Sequence, residues 1–291
     1  SLICDGLVAR GDRVAVEDPG YERTRRIVRA AGAGLRPVAV DRHGLCVEAL
    51  IAASERCHFA VVTPAHQFPM TVSLAAERWA PLLEWAEASE AYVVEDDYDG
   101  EFHYCGLPPR ALKSVDRSDR VIYLGTFSKS LFPALRLGYV VVPAALCARF
   151  CEVARRRGTA RPSLEQRVVA DFMSEGYFFR HLDAMRRLYA SRRERLVTAL
   201  GHAFGEQVRI SNEGGGIHFI ASFTGLGDNK AATVAAAREG LFLLALEECA
   251  VRDPVDPGAM LMSFTNVPEA RAQTLADRLA GVLTPLLDRS G

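Results

Sequence analysis

Residues 124–136 are the most informative stretch of this 291-residue chain and read Leu124-Gly125-Thr126-Phe127-Ser128-Lys129-Ser130-Leu131-Phe132-Pro133-Ala134-Leu135-Arg136. A run with strand character, residues 120–124, leads into a short turn rich in hydroxyl side chains. The turn contains Lys129, and Arg136 follows seven residues later. One strand end therefore offers an amine, hydroxyls and a guanidinium, a set that suits a ligand with an aldehyde and a phosphate.

Lys129 is one of only three lysines in the chain, beside 32 arginines. A lysine amine can form a Schiff base once its pKa is lowered, whereas an arginine guanidinium stays protonated at neutral pH. The alternative interpretation of Lys129 is an ordinary surface cation. Its phenylalanine, serine and leucine neighbours favour a partly buried amine.

The overall composition is that of an ordinary globular protein, with 49% hydrophobic and 24% charged residues and a formal net charge of −1. This balance does not indicate a nucleic-acid or membrane surface. No apolar run reaches the length of a membrane span, and no basic segment followed by an apolar stretch opens the given sequence, so no secretory signal is expected. Seven cysteines without a C-x-x-C pair predict reduced thiols and a cytoplasmic location.

Strand-like and helix-like segments alternate along the first half of the chain, which predicts an α/β fold with a mostly parallel sheet covered on both sides. The expected strands are residues 14–17, 36–40, 59–63, 91–94, 120–124 and 136–142. The expected helices are residues 21–31, 45–53 and 74–90. Ligands of such sheets lie beyond the carboxyl ends of the strands, so Thr63, Glu95–Asp96 and Thr126–Lys129 are expected to converge on one rim.

The pattern changes after Pro143, where helices dominate. A long helix is expected at residues 177–204, followed by short strands at 208–210, 217–222, 241–244 and 260–264. We therefore predict a large domain at residues 1–180 and a smaller C-terminal α+β domain at residues 181–291.

Five carboxylates lie within residues 95–101, directly after a buried strand. A divalent metal site is one interpretation, but the spacing of a calcium loop is absent and a solvated loop accounts for most of these acids. Asp96 is nearest to the strand. An unpaired carboxylate there would be costly, which predicts a cationic partner. No metal is expected.

The polar groups of pyridoxal phosphate would each find a partner among these residues. A pyridinium N–H would pair with Asp96, and Tyr98 could donate a hydrogen bond to the ring phenolate. Lys129 would carry the aldehyde as an imine. The phosphate would be held by Thr126, Ser128 and Arg136.

The chain resembles fold type I pyridoxal-phosphate enzymes, in particular the aminotransferase-like domain of MocR-type (GabR-like) bacterial transcriptional regulators of the GntR family. The similarity runs along nearly the whole chain. The stretches that carry it are residues 11–21 (GDRVAVEDPGY), 63–69 (TPAHQFP), 95–102 (EDDYDGEF) and the lysine turn.

The resemblance implies a role for each site residue. Lys129 would be the Schiff-base lysine and Asp96 the partner of the pyridine nitrogen, both catalytic in an active enzyme. Tyr21 would stack on the ring. Arg23 matches a position that holds a substrate carboxylate in the GabR-like branch, although an ordinary helix-face arginine is an equal alternative.

Three departures from the family pattern stand out. Met70-Thr71 occupies the place of the usual Thr-Gly, which affects a local turn. The last strand, residues 260–266, lacks the arginine that binds an α-carboxylate in many aminotransferases. The winged helix-turn-helix, its linker and a further phosphate loop are expected before Ser1, so the chain is interpreted as truncated.

Two main functions remain open from the sequence. The first is an effector sensor, in which pyridoxal phosphate forms an aldimine with a small amino compound or amino acid. The second is an active aminotransferase, with Lys129 as general base, and another reaction on the same cofactor is a weaker option. A homodimer is expected, with DNA bound only through the missing N-terminal domain and no membrane contact.

Overall fold

The computed structural model describes residues 1–53, 56–104, 106, 108–158, 163–211, 214–251, 256 and 258–287. The described strands form a seven-stranded sheet, in the order β3-β2-β1-β4-β5-β6-β7, and a four-stranded sheet. The strands of the larger sheet are β1 (Arg13–Asp18), β2 (Gly34–Asp41), β3 (Gly44–Leu45), β4 (Phe59–Val62), β5 (Tyr92–Asp97), β6 (Val121–Thr126) and β7 (Gly138–Val141). The five central strands pair in parallel, and β3 and β7 run antiparallel at the two edges.

The ten described α-helices cover these sheets. They are α1 (Leu2–Leu7), α2 (Glu22–Ala30), α3 (Val47–Ile51), α4 (Trp79–Ala88), α5 (Phe127–Ser130), α6 (Cys147–Arg156), α7 (Ser163–Ser174), α8 (Tyr177–Phe204), α9 (Asn229–Arg238) and α10 (Ala272–Leu283). No helix in the described part of the chain is both long and apolar enough to cross a membrane.

The larger sheet has a buried cluster on each face because successive side chains of a strand point to opposite sides. In β1, Val14 and Val16 join α1, α2 and α6 in one cluster. Ala15, between them, packs with α3 and α4 in the other. This burial on both faces explains why the central strands read as continuous apolar runs.

The second sheet has the order β10-β11-β9-β8 and is antiparallel. Its strands are β8 (Val208–Ile210), β9 (His218–Phe223), β10 (Leu244–Ala245) and β11 (Ala259–Ser263). They share one core with α8, α9 and α10, built from residues such as Leu200, Phe223, Met260 and Leu279. The predicted domain boundary near residue 180 falls inside α8 and stays a prediction.

Several predicted elements are shorter in the structure than expected. The helix predicted from residue 74 begins only at Trp79, because the backbone N–H groups of Leu74 and Ala75 donate to other loops. The strand predicted from residue 136 begins at Gly138, because Arg136 has a left-handed backbone with φ of 51°. The strand predicted at residues 241–244 is reduced to Leu244–Ala245.

The larger sheet contains one point where the chain changes direction across it. From β1 the chain proceeds to β2 on one side, whereas β4 lies on the other side of β1. The carboxyl ends of parallel strands leave a crevice at such a switch point, and ligands of open α/β sheets bind there. Residues that follow β1 and β4 are therefore placed beside those at the ends of β5 and β6.

Candidate functional site

A cavity of about 380 Å³ lies at this crevice. Thr63, Phe68 and His218 form part of its wall. All eight residues selected from the sequence also line it: Tyr21, Arg23, Asp96, Tyr98, Thr126, Ser128, Lys129 and Arg136. The fold therefore brings together eight predicted residues that are up to 115 positions apart in the chain.

The lysine turn is held rigidly although it is short. Thr126 ends β6, and its hydroxyl caps α5 by accepting a hydrogen bond from the Ser128 backbone N–H at 3.1 Å. Phe127 and Ser130 are buried on either side of the exposed Lys129. The expectation of a partly buried amine is therefore wrong: burial of its neighbours anchors the turn while the amine itself borders the open cavity.

Asp96 and its neighbour Glu95 face opposite sides of β5. The Glu95 carboxylate accepts hydrogen bonds from the backbone N–H groups of Leu112 and Lys113, at 2.7 and 2.8 Å. Glu95 therefore does not join Thr63 and Asp96 at the cavity, which corrects the expected rim. The alternation of side chains along a strand accounts for the difference.

Ionising the Asp96 carboxyl is electrostatically unfavourable in this cavity. Burial raises its pKa to about 6, and the nearby charges of Asp97 and Asp99 act in the same direction. No described residue donates a hydrogen bond to this carboxylate. A cation placed against it would remove the cost, because an opposite charge favours the ionised form of a buried acid.

Tyr98 is held as a neutral phenol. Burial raises its pKa well above the ordinary value, and the charges of Asp99 and Asp96 raise it further. Asp99 is itself buried, with His66 Nδ1 at 3.1 Å from Oδ1 and the Ile217 backbone N–H donating to Oδ2 at 3.2 Å. Because Ile217 precedes β9, this carboxylate ties the cavity wall to the smaller sheet.

Arg136 supplies a positive charge at the other end of the cavity, close to Thr126 and Ser128. Within the described ranges, no carboxylate lies within ion-pair distance of its guanidinium. Its left-handed backbone is a strained conformation for a residue with a side chain. A free guanidinium beside two hydroxyls and the start of a helix can bind a phosphate.

Aromatic residues form the remaining wall. Tyr21 precedes α2, is 48% exposed, and has its ring centroid 5.4 Å from that of Phe68. Phe68 in turn contacts His218, whose pKa is lowered to about 4 by burial and by the charge of Lys129. Sequence reasoning missed Phe68 and His218. The only signals were the place of Phe68 in the Gln-Phe-Pro loop and of His218 after three glycines.

A second, larger cavity of about 650 Å³ adjoins the first, sharing Tyr21, Arg23 and Phe68. Arg23 is exposed and reaches both spaces. The neighbouring Arg26 is instead paired with Glu22 at 2.7 Å. A ligand that enters the first cavity therefore has room to extend along α2 past Arg23.

The acidic residues 95–101 do not form a metal cage. Asp97 accepts hydrogen bonds from the Tyr123 hydroxyl at 2.6 Å and from the Gly100 backbone N–H at 2.9 Å. Among the described residues, no group of three or more His, Cys, Asp or Glu side chains is arranged to hold a metal ion. The carboxylates of this segment point in separate directions.

Residues 2–279 match the family model of aminotransferase class I and II. The chain belongs to this family. The predicted fold type I architecture is thereby confirmed. The structure of the Pyrococcus horikoshii kynurenine aminotransferase superposes with a TM-score of 0.85 at 28% identity, covering 99% of this chain and 72% of that one.

Several curated proteins that resemble the chain are transcriptional regulators, and another is the aromatic-amino-acid aminotransferase 1 of Thermococcus litoralis, 27% identical over 96% of this chain. The probable rhizopine catabolism regulatory protein MocR of Rhizobium meliloti is 38% identical over 255 residues, which is 88% of this chain and 51% of that protein. The regulator TauR of Rhodobacter capsulatus is 35% identical over 83% of this chain and 49% of its own length. The chain thus spans about half the length of these curated regulators, and its predicted resemblance to MocR-type regulators is confirmed.

Proposed function

We propose that this chain binds pyridoxal 5'-phosphate and is the effector-sensing, aminotransferase-like part of a MocR-type transcriptional regulator. The observation that carries the proposal is the shared cavity of Lys129, Asp96 and Arg136. Its amine, its buried acid and its free guanidinium match the aldehyde, the ring nitrogen and the phosphate of that cofactor. When bound, the cofactor supplies an aldehyde that reacts with primary amines and a ring that accepts electrons.

Each residue of the cavity has a defined task in this proposal. Asp96 keeps a proton on the ring nitrogen, and the neutral phenol of Tyr98 donates a hydrogen bond to the ring oxygen. Lys129 holds the aldehyde carbon. Thr126 and Ser128 contact the phosphate together with the forked guanidinium of Arg136.

The amino compound would enter beside α2. Tyr21 covers one face of the ring, and Arg23 holds an anionic group of the ligand at the junction of the two cavities. The neutral imidazole of His218 adds no competing positive charge near Lys129. The ligand is therefore a small amino compound or amino acid.

An active aminotransferase is the second candidate, and the similarity to a kynurenine aminotransferase over 99% of the chain favours it. The strand β11 (Ala259–Ser263) argues against ordinary amino-acid transamination. Leu261 is buried there among Ile220 and Leu246, and no arginine reaches the cavity from this strand. The sensor therefore remains the preferred function.

A half-transamination experiment separates the two functions. The loaded protein is incubated with a panel of primary amines and amino acids, and the cofactor is then released and analysed. A sensor shifts the visible absorbance but returns pyridoxal phosphate, whereas an aminotransferase returns pyridoxamine phosphate. Stoichiometric pyridoxamine phosphate would overturn the sensor proposal.

The wider setting is also part of the proposal. DNA would be contacted by a separate N-terminal domain, as the regulatory relatives suggest. The described cysteines are all free thiols, which supports a cytoplasmic location. The protein would act as a homodimer, and residues 1–180 and 181–291 would be its two domains.

A further inference from the structure

Glu17, the penultimate residue of β1, is a buried carboxyl to which the proposed function assigns no task. It accepts hydrogen bonds from the Thr63 backbone N–H at 3.1 Å and from the Thr63 hydroxyl at 2.6 Å. Gln67 Nε2 lies 3.1 Å from the same carboxylate oxygen, Oε2. Glu17 is therefore fixed at the switch point of the sheet.

Glu17 and Asp96 line the same small space. This cavity has a volume of about 20 Å³, enough for one water molecule, and Thr63 lies in its wall. Thr63 also lines the cavity of about 380 Å³ that Lys129 borders. The Thr63 hydroxyl and the space for one water molecule thus connect Glu17 to Asp96.

The two carboxyls are electrostatically coupled. Burial raises the pKa of Glu17 to about 7, and the charge of Asp96 contributes to that shift. A negative charge on Asp96 disfavours ionisation of Glu17, so Glu17 retains a proton more readily when Asp96 is ionised.

The other charged groups near Glu17 are engaged elsewhere. Arg25 lines the small cavity but donates to the backbone oxygens of Gly20 and Cys249. Asp18 accepts the backbone N–H of Val251 at 2.7 Å. Tyr98, whose pKa is raised by burial and by neighbouring carboxylates that include Glu17, is a neutral phenol.

The hydrogen bonds of Gln67 indicate where the proton resides. Its Nε2 carries two hydrogens but has three acceptors, at 2.7 Å from Phe68 O, 2.9 Å from Pro19 O and 3.1 Å from Glu17 Oε2. The contact with Glu17 is the longest. A protonated Glu17 carboxyl can accept a hydrogen bond from the Thr63 hydroxyl at 2.6 Å and still donate its own proton into the small cavity that Asp96 also lines.

We infer that Glu17 is a positioning residue that shares one proton with Asp96 through Thr63 and a water-sized cavity. The proton rests on Glu17 whenever a cationic ring nitrogen pairs with Asp96, so that Asp96 alone is ionised. This inference rests on the proposed function of Asp96.

The first test needs no cofactor. Carboxyl-carbon NMR of the unloaded protein follows the titration of Glu17 in the parent chain and in Asp96→Asn. Removing the neighbouring charge should lower the Glu17 midpoint. An unchanged Glu17 midpoint would overturn the inference of a shared proton, because Glu17 would then be only an anchor for the Thr63–Gln67 loop.

The second test uses the loaded protein and a matched control. Glu17→Gln should remove the step near pH 7 from the pH dependence of the cofactor absorbance, and Glu17→Asp should restore a step. Glu95→Gln is the control, since Glu95 is also buried with a pKa of about 7 but faces Leu112 and Lys113. Its absorbance step should persist.

The outcomes separate the inference from the proposed function. A lower melting temperature with an unchanged absorbance step in Glu17→Gln means a purely structural role and overturns the inference. Coupled carboxyls in the NMR titration of a protein that never binds pyridoxal phosphate would refute the proposed function and leave the proton-sharing pair intact.

Discussion

Lys129, on the helix α5 that follows β6, and Asp96, on the neighbouring strand β5, reach one cavity, and their chemistry made both visible in the sequence. A rare lysine in a hydroxyl-rich turn and an acid at the end of an apolar strand each need a partner. Two features were not predictable at this scale. The exposure of Lys129 depends on tertiary packing, and His218 arrives from a distant strand of the smaller sheet.

Asp96→Asn tests the cost of the buried acid. Its raised pKa, about 6 when folded, means that the folded protein binds a proton more tightly than the unfolded chain. Asp96 therefore destabilises the unloaded protein as pH rises from about 4 to 6, and this loss persists at higher pH. Asp96→Asn should raise the free energy of unfolding at pH 8 by about 1–3 kcal/mol.

Urea unfolding of the unloaded Asp96→Asn variant checks this result, with the same measurement at pH 4 as the internal control. A much smaller difference from the parent chain is expected at pH 4, where the folded carboxyl is protonated and the unfolded one is only about half ionised. Cofactor affinity should fall in the same variant. Equal stability of the two proteins at pH 8 would contradict the electrostatic cost assigned to Asp96.

Arg136→Lys tests the phosphate end of the site. Lysine keeps the charge but loses the forked geometry, so the dissociation constant for pyridoxal phosphate should rise about tenfold. Absorbance titration measures it. Arg120→Lys is the control, because Arg120 lies over the ring of Tyr92, away from the cavity, and should leave the affinity unchanged. Equal affinities in both variants would exclude Arg136 from phosphate binding.

At the scale of elements, the alternation of strands and helices was predictable, because a sheet buried on both faces requires apolar strands and amphipathic helices packed on them. The residues at which each element begins and ends were less predictable. The helix α4 (Trp79–Ala88) starts late because Leu74 and Ala75 are bonded to neighbouring loops. Such contacts join positions far apart in sequence, and no local pattern encodes them.

The Gln-Phe-Pro loop shows how a sequence departure becomes a measurable strain. Thr71 stands where the family pattern has glycine, and its φ of 60° lies in the left-handed region. Its backbone N–H donates to Gln67 O at 2.6 Å, which keeps the turn closed. Threonine in place of glycine at position 71 thus still allows the closed, left-handed turn.

Replacing Thr71 by glycine and, separately, by alanine isolates this strain. Both variants remove the threonine side chain, but only alanine retains a Cβ at positive φ. Thr71→Gly should therefore be more stable than Thr71→Ala by about 1 kcal/mol, as measured by urea unfolding. The reverse order would show that the turn relaxes away from the left-handed conformation.

At the scale of the whole molecule, exposed apolar side chains cluster on α7 and at the start of α8. Leu164 is 69% and Val168 57% exposed, and both lie on one face of α7, four residues apart. Phe179 of α8 is 59% exposed. Exposed apolar surface of this kind is typical of protein contacts and supports the proposed homodimer.

Leu164→Glu should shift the protein from dimer to monomer, because a buried charge opposes association. Light scattering coupled to gel filtration measures the mass. Phe242→Glu is the control, since Phe242 is 85% exposed on the loop after α9, in the smaller unit. A parent protein that is monomeric while fully loaded with cofactor would contradict the proposed assembly.

The central claim is that Lys129 is the residue that holds the cofactor, and three lysines make it directly testable. The purified protein is mixed with pyridoxal phosphate, its visible spectrum is recorded, borohydride is added, and the labelled peptide is mapped. The account predicts a visible band that borohydride removes and a single label on Lys129. A label on Lys113 or Lys230, or no label at all, would contradict it.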